Sequence, residues 1–250
     1  MDCGDRLSPV ASKTLPPLGQ MTARRTTVFM KAVMAVSGLL FVFYVLMHMY
    51  GNLKILAGNE AFDEYAHHLR TLFQPILPFG GFLWLFRILL IVALVAHAYS
   101  AFYLWSKANN ARTSRYVARE AARRTLKTKW MRWGGVALLL FLVFHLIQFT
   151  IVKVNFNSGV SDAEIGGSAA ALLVAAFQLW WVVLIYVLAL VALGLHLFHG
   201  VYSAAQTLGW TDTARARATA KATAHIIAAI VAIGFAIPPL AILFGIVKGS

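Results

Sequence analysis

Five apolar runs constrain this chain more than any other feature. They cover about residues 28–52, 81–106, 133–154, 171–205 and 223–247. Each reaches the ~20 residues a helix needs to cross a hydrocarbon core of ~30 Å. Lipid offers the backbone no hydrogen-bond partners, so a single run of this kind spans only as a helix. The expected fold class is all-α, a polytopic membrane protein with five transmembrane helices. Residues 28–250 form the membrane domain and 1–27 a polar N-terminal segment. That segment carries no apolar core, which argues against a cleavable signal peptide. The fourth run exceeds one crossing, so it is expected to tilt or to extend past the membrane. Composition agrees: 60% of the 250 residues are hydrophobic and 12% are charged, which excludes an ordinary soluble domain.

Charge sets the expected orientation. Arg6, Lys13, Arg24, Arg25 and Lys31 precede or open the first run. Lys107, Arg112, Arg115, Arg119, Arg123, Arg124, Lys127, Lys129 and Arg132 join the second to the third, and Arg215, Arg217 and Lys221 precede the last. The other two connections carry acids instead: Glu60, Asp63 and Glu64 in one, Asp162 and Glu164 in the other. Basic loops stay inside. The N-terminus is therefore expected in the cytoplasm and the C-terminus outside. The net charge of +13 is read as loops facing anionic lipid or a partner protein, not nucleic acid. The one cysteine, Cys3, supports neither an internal disulfide nor, alone, an iron–sulfur cluster.

The first four runs carry histidine well inside the span: "VLMHMY" (His48), "LVAHAY" (His97), "LVFHLI" (His145) and "LGLHLFHG" (His196 and His199). An ionisable side chain inside a span is rare and usually functional, although a single one can simply bond to a neighbouring helix. Depth separates these readings. His48 and His145 fall in the outer half of outward-running spans. His97 lies about 22 Å down an inward span at 1.5 Å per residue, and His196 lies in the later half of another. Two histidines on facing helices at one depth can ligate a haem iron from both sides. Four helices thus form a cofactor-binding bundle with His48 and His145 as an outer pair and His97 and His196 as an inner pair.

The surroundings carry further candidates. Gly38 and Gly135 lie ten residues before His48 and His145, about 15 Å toward the inner side; they leave room for a porphyrin or serve plain helix packing. Arg87 is a charge inside the second span that pairs with a haem propionate or snorkels to the interface. His199 shares a helix face with His196, so spacing alone leaves the inner ligand open between them. His67 and His68 lie in the outer segment "EYAHHLR", and His225 opens the last span as an interfacial residue.

The segments "GLLFVFYVLMHMYGNLKIL", "PILPFGGFLWLFRILLIVALVAHAYSAFYLW", "LFLVFHLIQFT" and "LGLHLFHGVYSAAQTLGW" together resemble a known family. It is the cytochrome b membrane anchor of succinate:menaquinone oxidoreductases and quinol:fumarate reductases (respiratory complex II), in the single-chain, five-helix, diheme form. The likeness touches four spans and looks closest to actinobacterial members. It implies a bacterial cytoplasmic membrane, two b haems, menaquinone, and two soluble partners, a flavoprotein and an iron–sulfur subunit; a higher oligomer of the complex is possible. It also implies that the first and third spans supply the haem distal to the iron–sulfur subunit, and the second and fourth the proximal one. The family's fourth-span ligand lies four residues before a glycine that precedes an aromatic, which maps to His196 rather than His199. Where the fumarate reductase branch has an acid at the end of the outer loop helix, this chain has Arg70. Glu60, Glu64 and His68 are nearby substitutes for handling quinol protons. The candidates for a quinone site near the cytoplasmic face are Ser37, Arg25 and Lys31.

A bis-histidine haem has no open position, so the expected role is electron conduction, with no flavin or nucleotide motif and no succinate chemistry in this chain. The basic loop between the second and third spans is expected to meet lipid headgroups or an acidic partner face. Three alternatives share some of the evidence. In a transporter, His and Arg would line a path. Another oxidoreductase could use a diheme anchor. A Rieske-like [2Fe–2S] cluster could take histidines from this chain and cysteines from a partner.

Overall fold

A computed structural model of the chain describes the backbone of residues 18–110 and 119–248 and the side chains of 26–110 and 130–248. The described residues form helices α1 (Leu18–Leu53), α2 (Asn59–Thr71), α3 (Gly81–Asn110), α4 (Arg119–Leu146), α5 (Asp162–Ile165), α6 (Ala169–Phe177), α7 (Trp180–Thr207) and α8 (Ala214–Leu243). A 3-10 turn, Lys54–Ala57, follows α1, and a π turn, Ile147–Ile151, follows α4. Helices α1, α3, α4, α7 and α8 supply five stretches long and apolar enough to cross a membrane. The protein is an all-α polytopic membrane protein.

The outside of the bundle is as apolar as its inside. Phe43, Ile88, Ile91, Val95, Leu140, Leu188, Val191 and Ile233 are all exposed, as suits helices whose solvent is lipid. Exposed tryptophans mark span ends: Trp84 near the start of α3, Trp130 and Trp133 on α4, Trp180 at the start of α7 and Trp210 just beyond its end. Indole rings favour the headgroup level. Lys31, Lys107, Arg132, Arg215, Arg217 and Lys221 gather at one end of the bundle, hereafter the basic end, while α2, the π turn, α5 and α6 lie at the opposite end.

Two of the three buried clusters among the described residues hold the bundle. The first is at the opposite end, where Ile55, Leu173, Val174, Phe177, Val182, Tyr186 and Ile242 are buried together against Phe62, Phe141 and Phe149. The second fills the middle of α1, α7 and α8, with Leu197, Ala228 and Val231 packed on Val42, Leu46, Leu193 and Phe235. A small-residue seam lets α7 and α8 close: a Cβ on Gly194 would stand 3.4 Å from Ala232 Cβ. Such seams are what van der Waals packing in lipid requires.

The structure departs from the sequence reading at several boundaries. α1 begins at Leu18 and α8 at Ala214, before the apolar runs do. Helix continues through "ARARATAKATA" because Thr213 caps it, accepting from Ala216 N–H at 3.1 Å, and alanine favours helix without needing lipid. α8 ends at Leu243, not 247, where Gly245 (φ +71°) reverses the chain and Ile246 N–H returns to Ala241 O at 2.9 Å. The third span leaves α geometry after Leu146. The fourth run is two helices rather than one long tilted span. Leu179 is extended (φ −89°, ψ 112°) between α6 and α7. Asn157 Nδ2 holds that break, donating to Ala175 O at 3.1 Å and Gln178 Oε1 at 2.9 Å.

The short α6 is also fastened from the far side of the sequence. Asp63 on α2 accepts from Ala169 N–H (2.8 Å) and Ala170 N–H (3.0 Å) through Oδ1 and from the Ser168 hydroxyl through Oδ2. A carboxylate at a helix start satisfies orphan donors and faces the positive end of the dipole.

Candidate functional site

Helix adjacency gives the site its shape. α1 packs closely on α3, α7 and α8, and α7 packs on α4 and α8. The pairs α1–α4 and α3–α7 are not among these close neighbours. Those are the two pairs that histidines bridge. His48 on α1 meets His145 on α4 with ring centroids 5.9 Å apart and planes at 79°. His97 on α3 meets His196 on α7 at 6.3 Å and 60°.

The two meetings lie at two levels. A Cβ built on Gly38 would stand 3.3 Å from His97 Cε1, and one on Gly135 would stand 3.5 Å from His196 Cε1. Each glycine is ten residues from the histidine of the other pair on its own helix, His48 or His145. At 1.5 Å per residue the pairs are therefore about 15 Å apart along the bundle. The notches at Gly38 and Gly135 receive the rings of the His97–His196 pair themselves.

Hydrogen-bond geometry assigns a proton position to two of the rings. Ser37 Oγ donates to Val33 O at 2.7 Å and lies 3.2 Å from His97 Nδ1. With its proton used on the carbonyl, the hydroxyl accepts from His97 Nδ1–H, and His97 Nε2 keeps its lone pair. Tyr186 OH lies 3.0 Å from His145 Nδ1 and donates to Gln148 Oε1 at 2.9 Å, so His145 is in the same tautomer. That is the form in which an imidazole ligates a metal through Nε2. His196 Nδ1 is buried with no hydrogen-bond partner. His48 stacks on Tyr44 at 5.4 Å and touches Phe235, and Asn52 Nδ2 approaches its Nε2 at 3.5 Å while donating to His48 O at 2.9 Å.

These residues fit a metal held between two imidazoles. Ligation from opposite sides through nitrogens about 2 Å from the metal places ring centres roughly 6 Å apart. The observed spacings have that value, on helices whose backbones stand apart, with notches and a partnerless imidazole nitrogen at one level. Among the described residues no group of three or more His, Cys, Asp or Glu could hold a metal ion, so any centre here rests on pairs.

The remaining candidates are dispersed. His199 is one turn from His196 on the same helix and partly buried. Arg87 is exposed, its guanidinium 5.2 Å from the Trp84 ring centroid, with Tyr44 within its electrostatic reach. Ser37 is buried as the partner of His97. Lys31 lines a cavity of about 720 Å³ at the basic end, between α1, α3 and α7, with Met34, Leu104, Lys107 and Ser203. Leu104 and Ser203 each lie seven residues beyond His97 and His196, so the cavity opens about 10 Å from that pair. The side chain of Arg25 lies outside the described residues. Glu60, Glu64 and His68 are exposed on α2, His67 rests on Phe79 at 6.1 Å, and Arg70 is partly buried with its carbonyl taken by Gly80 N–H. His225 packs on Phe198 at 4.0 Å and lies 2.8 Å from Lys221 O.

Sequence reasoning missed Tyr186 and Gln148. A tyrosine in a span looks like ordinary packing. Gln148, a polar residue three positions after His145 and so on its face, was the one signal available. Comparison with family models, curated proteins and solved structures finds no match to this chain.

Proposed function

We propose that this chain is the membrane anchor and electron-transfer subunit of a succinate:menaquinone oxidoreductase of the complex II type, holding two b haems. The observation that carries the reading is the pair of histidine meetings at two levels, each bridging helices that do not pack closely on one another. His48 with His145, and His97 with His196, would hold the two haem irons. Haem supplies a one-electron centre with no free coordination position when both sides are taken by histidine.

The chain's own residues provide the rest. Ser37 and Tyr186 hold His97 and His145 in the ligating tautomer. Tyr44, Phe235 and Phe141 crowd the His48–His145 level, and Phe41 packs edge-on to His97, which keeps water from the rings. On this reading the basic end faces the cytoplasm of a bacterium, where an iron–sulfur subunit and its flavoprotein dock. The cavity beside Lys31 and Lys107 then lies between that partner and the His97–His196 pair. It combines an apolar floor with cationic and hydroxyl groups, which suits a quinone head.

The test is a pyridine haemochrome count and a reduced-minus-oxidised spectrum on the complex purified with its partners. Two haems b per chain are expected. Iron with acid-labile sulfide and no haem would overturn the reading in favour of a shared iron–sulfur centre. Haem without co-purifying succinate dehydrogenase activity would place the anchor in another oxidoreductase.

A further inference from the structure

We infer that Tyr186 and Gln148 form a directed hydrogen-bond relay that positions His145 as a ligand and sets the reduction potential at the His48–His145 level, apart from the His97–His196 level. The inference rests on the haem reading above.

The relay has three members and one direction. His145 Nδ1–H donates to the Tyr186 oxygen (3.0 Å), and the Tyr186 hydroxyl donates to Gln148 Oε1 (2.9 Å). An amide oxygen cannot donate, so the phenol proton must point toward Gln148 and the imidazole proton toward the phenol. Turned over, the amide would donate to Tyr186 and the phenol would donate to His145 Nδ1. The imidazole proton would then sit on Nε2 and block the nitrogen a metal needs. The orientation of one buried amide thus favours one tautomer of His145 over the other.

Three independent features mark Gln148 as more than packing. It is wholly buried, its Nε2 has no hydrogen-bond partner, and it lies in the π turn that interrupts the end of the third span. An unpartnered buried amide is costly and calls for an explanation. π turns concentrate at functional sites. Here the widened turn carries the Gln148 amide oxygen to the phenol of α7. Tyr186 in turn is clamped by Phe141 and Phe177, both at 4.9 Å and nearly perpendicular. The phenol therefore has little freedom to choose another partner.

The two levels differ in this respect. His97 meets a serine hydroxyl that spends its proton on a backbone carbonyl. His145 meets a phenol polarised by an amide. An acceptor on Nδ1–H makes the imidazole a stronger electron donor to its metal and favours the oxidised state, and the acceptor stands nearer at His145 (3.0 Å) than at His97 (3.2 Å). Tyr186 and Gln148 are positioning residues, since neither touches the centre.

The experiment is an optical redox titration of the purified complex as wild type, Tyr186→Phe and Gln148→Leu, with His145→Ala marking which component belongs to that level. Both substitutions should keep two haems per chain and raise the midpoint of the marked component, leaving the other in place. Two haems with neither midpoint moved would overturn the relay, as would an equal shift of both components, which is what general loosening produces. Should Tyr186→Phe lose the marked haem, Gln148→Leu decides alone by the same criterion. A wild-type complex without haem would instead overturn the proposed function, before either variant is compared.

Discussion

Ser37 and Tyr186 show how much of this site is settled by single hydrogen bonds. Each leaves one imidazole with its lone pair on Nε2, although the residues come from different helices and offer different chemistry. On the proposed reading, His48→Ala or His145→Ala should each reduce the haem count from two to one per chain, and His97→Ala or His196→Ala should remove the other component; the pyridine haemochrome assay reads this directly. Gly38→Val makes a sharper test of level. Its Cβ would press on His97 Cε1 from 3.3 Å, and overpacking of this kind costs about 1–3 kcal/mol. The expected result is loss of the His97–His196 component with the His48–His145 component retained. The four histidines were legible in the sequence because a titratable group stands out in an apolar run. Their pairing was legible because depth follows from residue counting. Which nitrogen each keeps free was not, because Ser37 is sixty residues from His97 and Tyr186 forty-one from His145.

Among the elements, α6 and α8 depend most on contacts that the sequence does not announce. The run 171–205 reads as one span because composition cannot register an extended residue at Leu179. The break is visible only through Asn157 and through Asp63, which binds the start of α6 from more than a hundred residues away. Asp63→Ala should leave two backbone N–H groups and the Ser168 hydroxyl proton without acceptors and lower stability by about 1–3 kcal/mol, measured as an earlier thermal transition in detergent. At α5, Glu164 completes a capping box with Ser161. The Ser161 backbone N–H, and secondarily its hydroxyl, hold the Glu164 carboxyl below its ordinary range. A depressed carboxylate stabilises above its unfolded value and loses that contribution as pH falls through the folded one. The Ser161 amide resonance should therefore stay constant at neutral pH and move only in acid, below the range of a free glutamate. α8 approaches α1 so closely that a Cβ on Gly234 would overlap Met49 Sδ. Gly234→Val should displace Met49 and, through its neighbour His48, disturb that level while sparing the other; the reduced spectrum would show one altered component.

Across the whole molecule, the run lengths in the sequence determined the fold class, and the basic residues separated the two ends. The helix neighbours did not follow from either, since apolar surface covers every span and leaves no stripe to mark a partner. Orientation is testable with the single natural cysteine. Cys3 should react with an impermeant maleimide only in inverted vesicles, and a cysteine at Gly167, where a side chain meets open space, only in intact cells after Cys3→Ser. The opposite pattern would invert the proposed topology. The separation of the two histidine levels has an electrical consequence. About 15 Å is half of a hydrocarbon core of ~30 Å. A charge carried from one level to the other crosses roughly half the transmembrane voltage, worth about 1.2 kcal/mol per 100 mV. Two centres so placed would have an equilibrium that leans with the polarisation of the membrane, so energising the cell would redistribute electrons between them without any change in the protein.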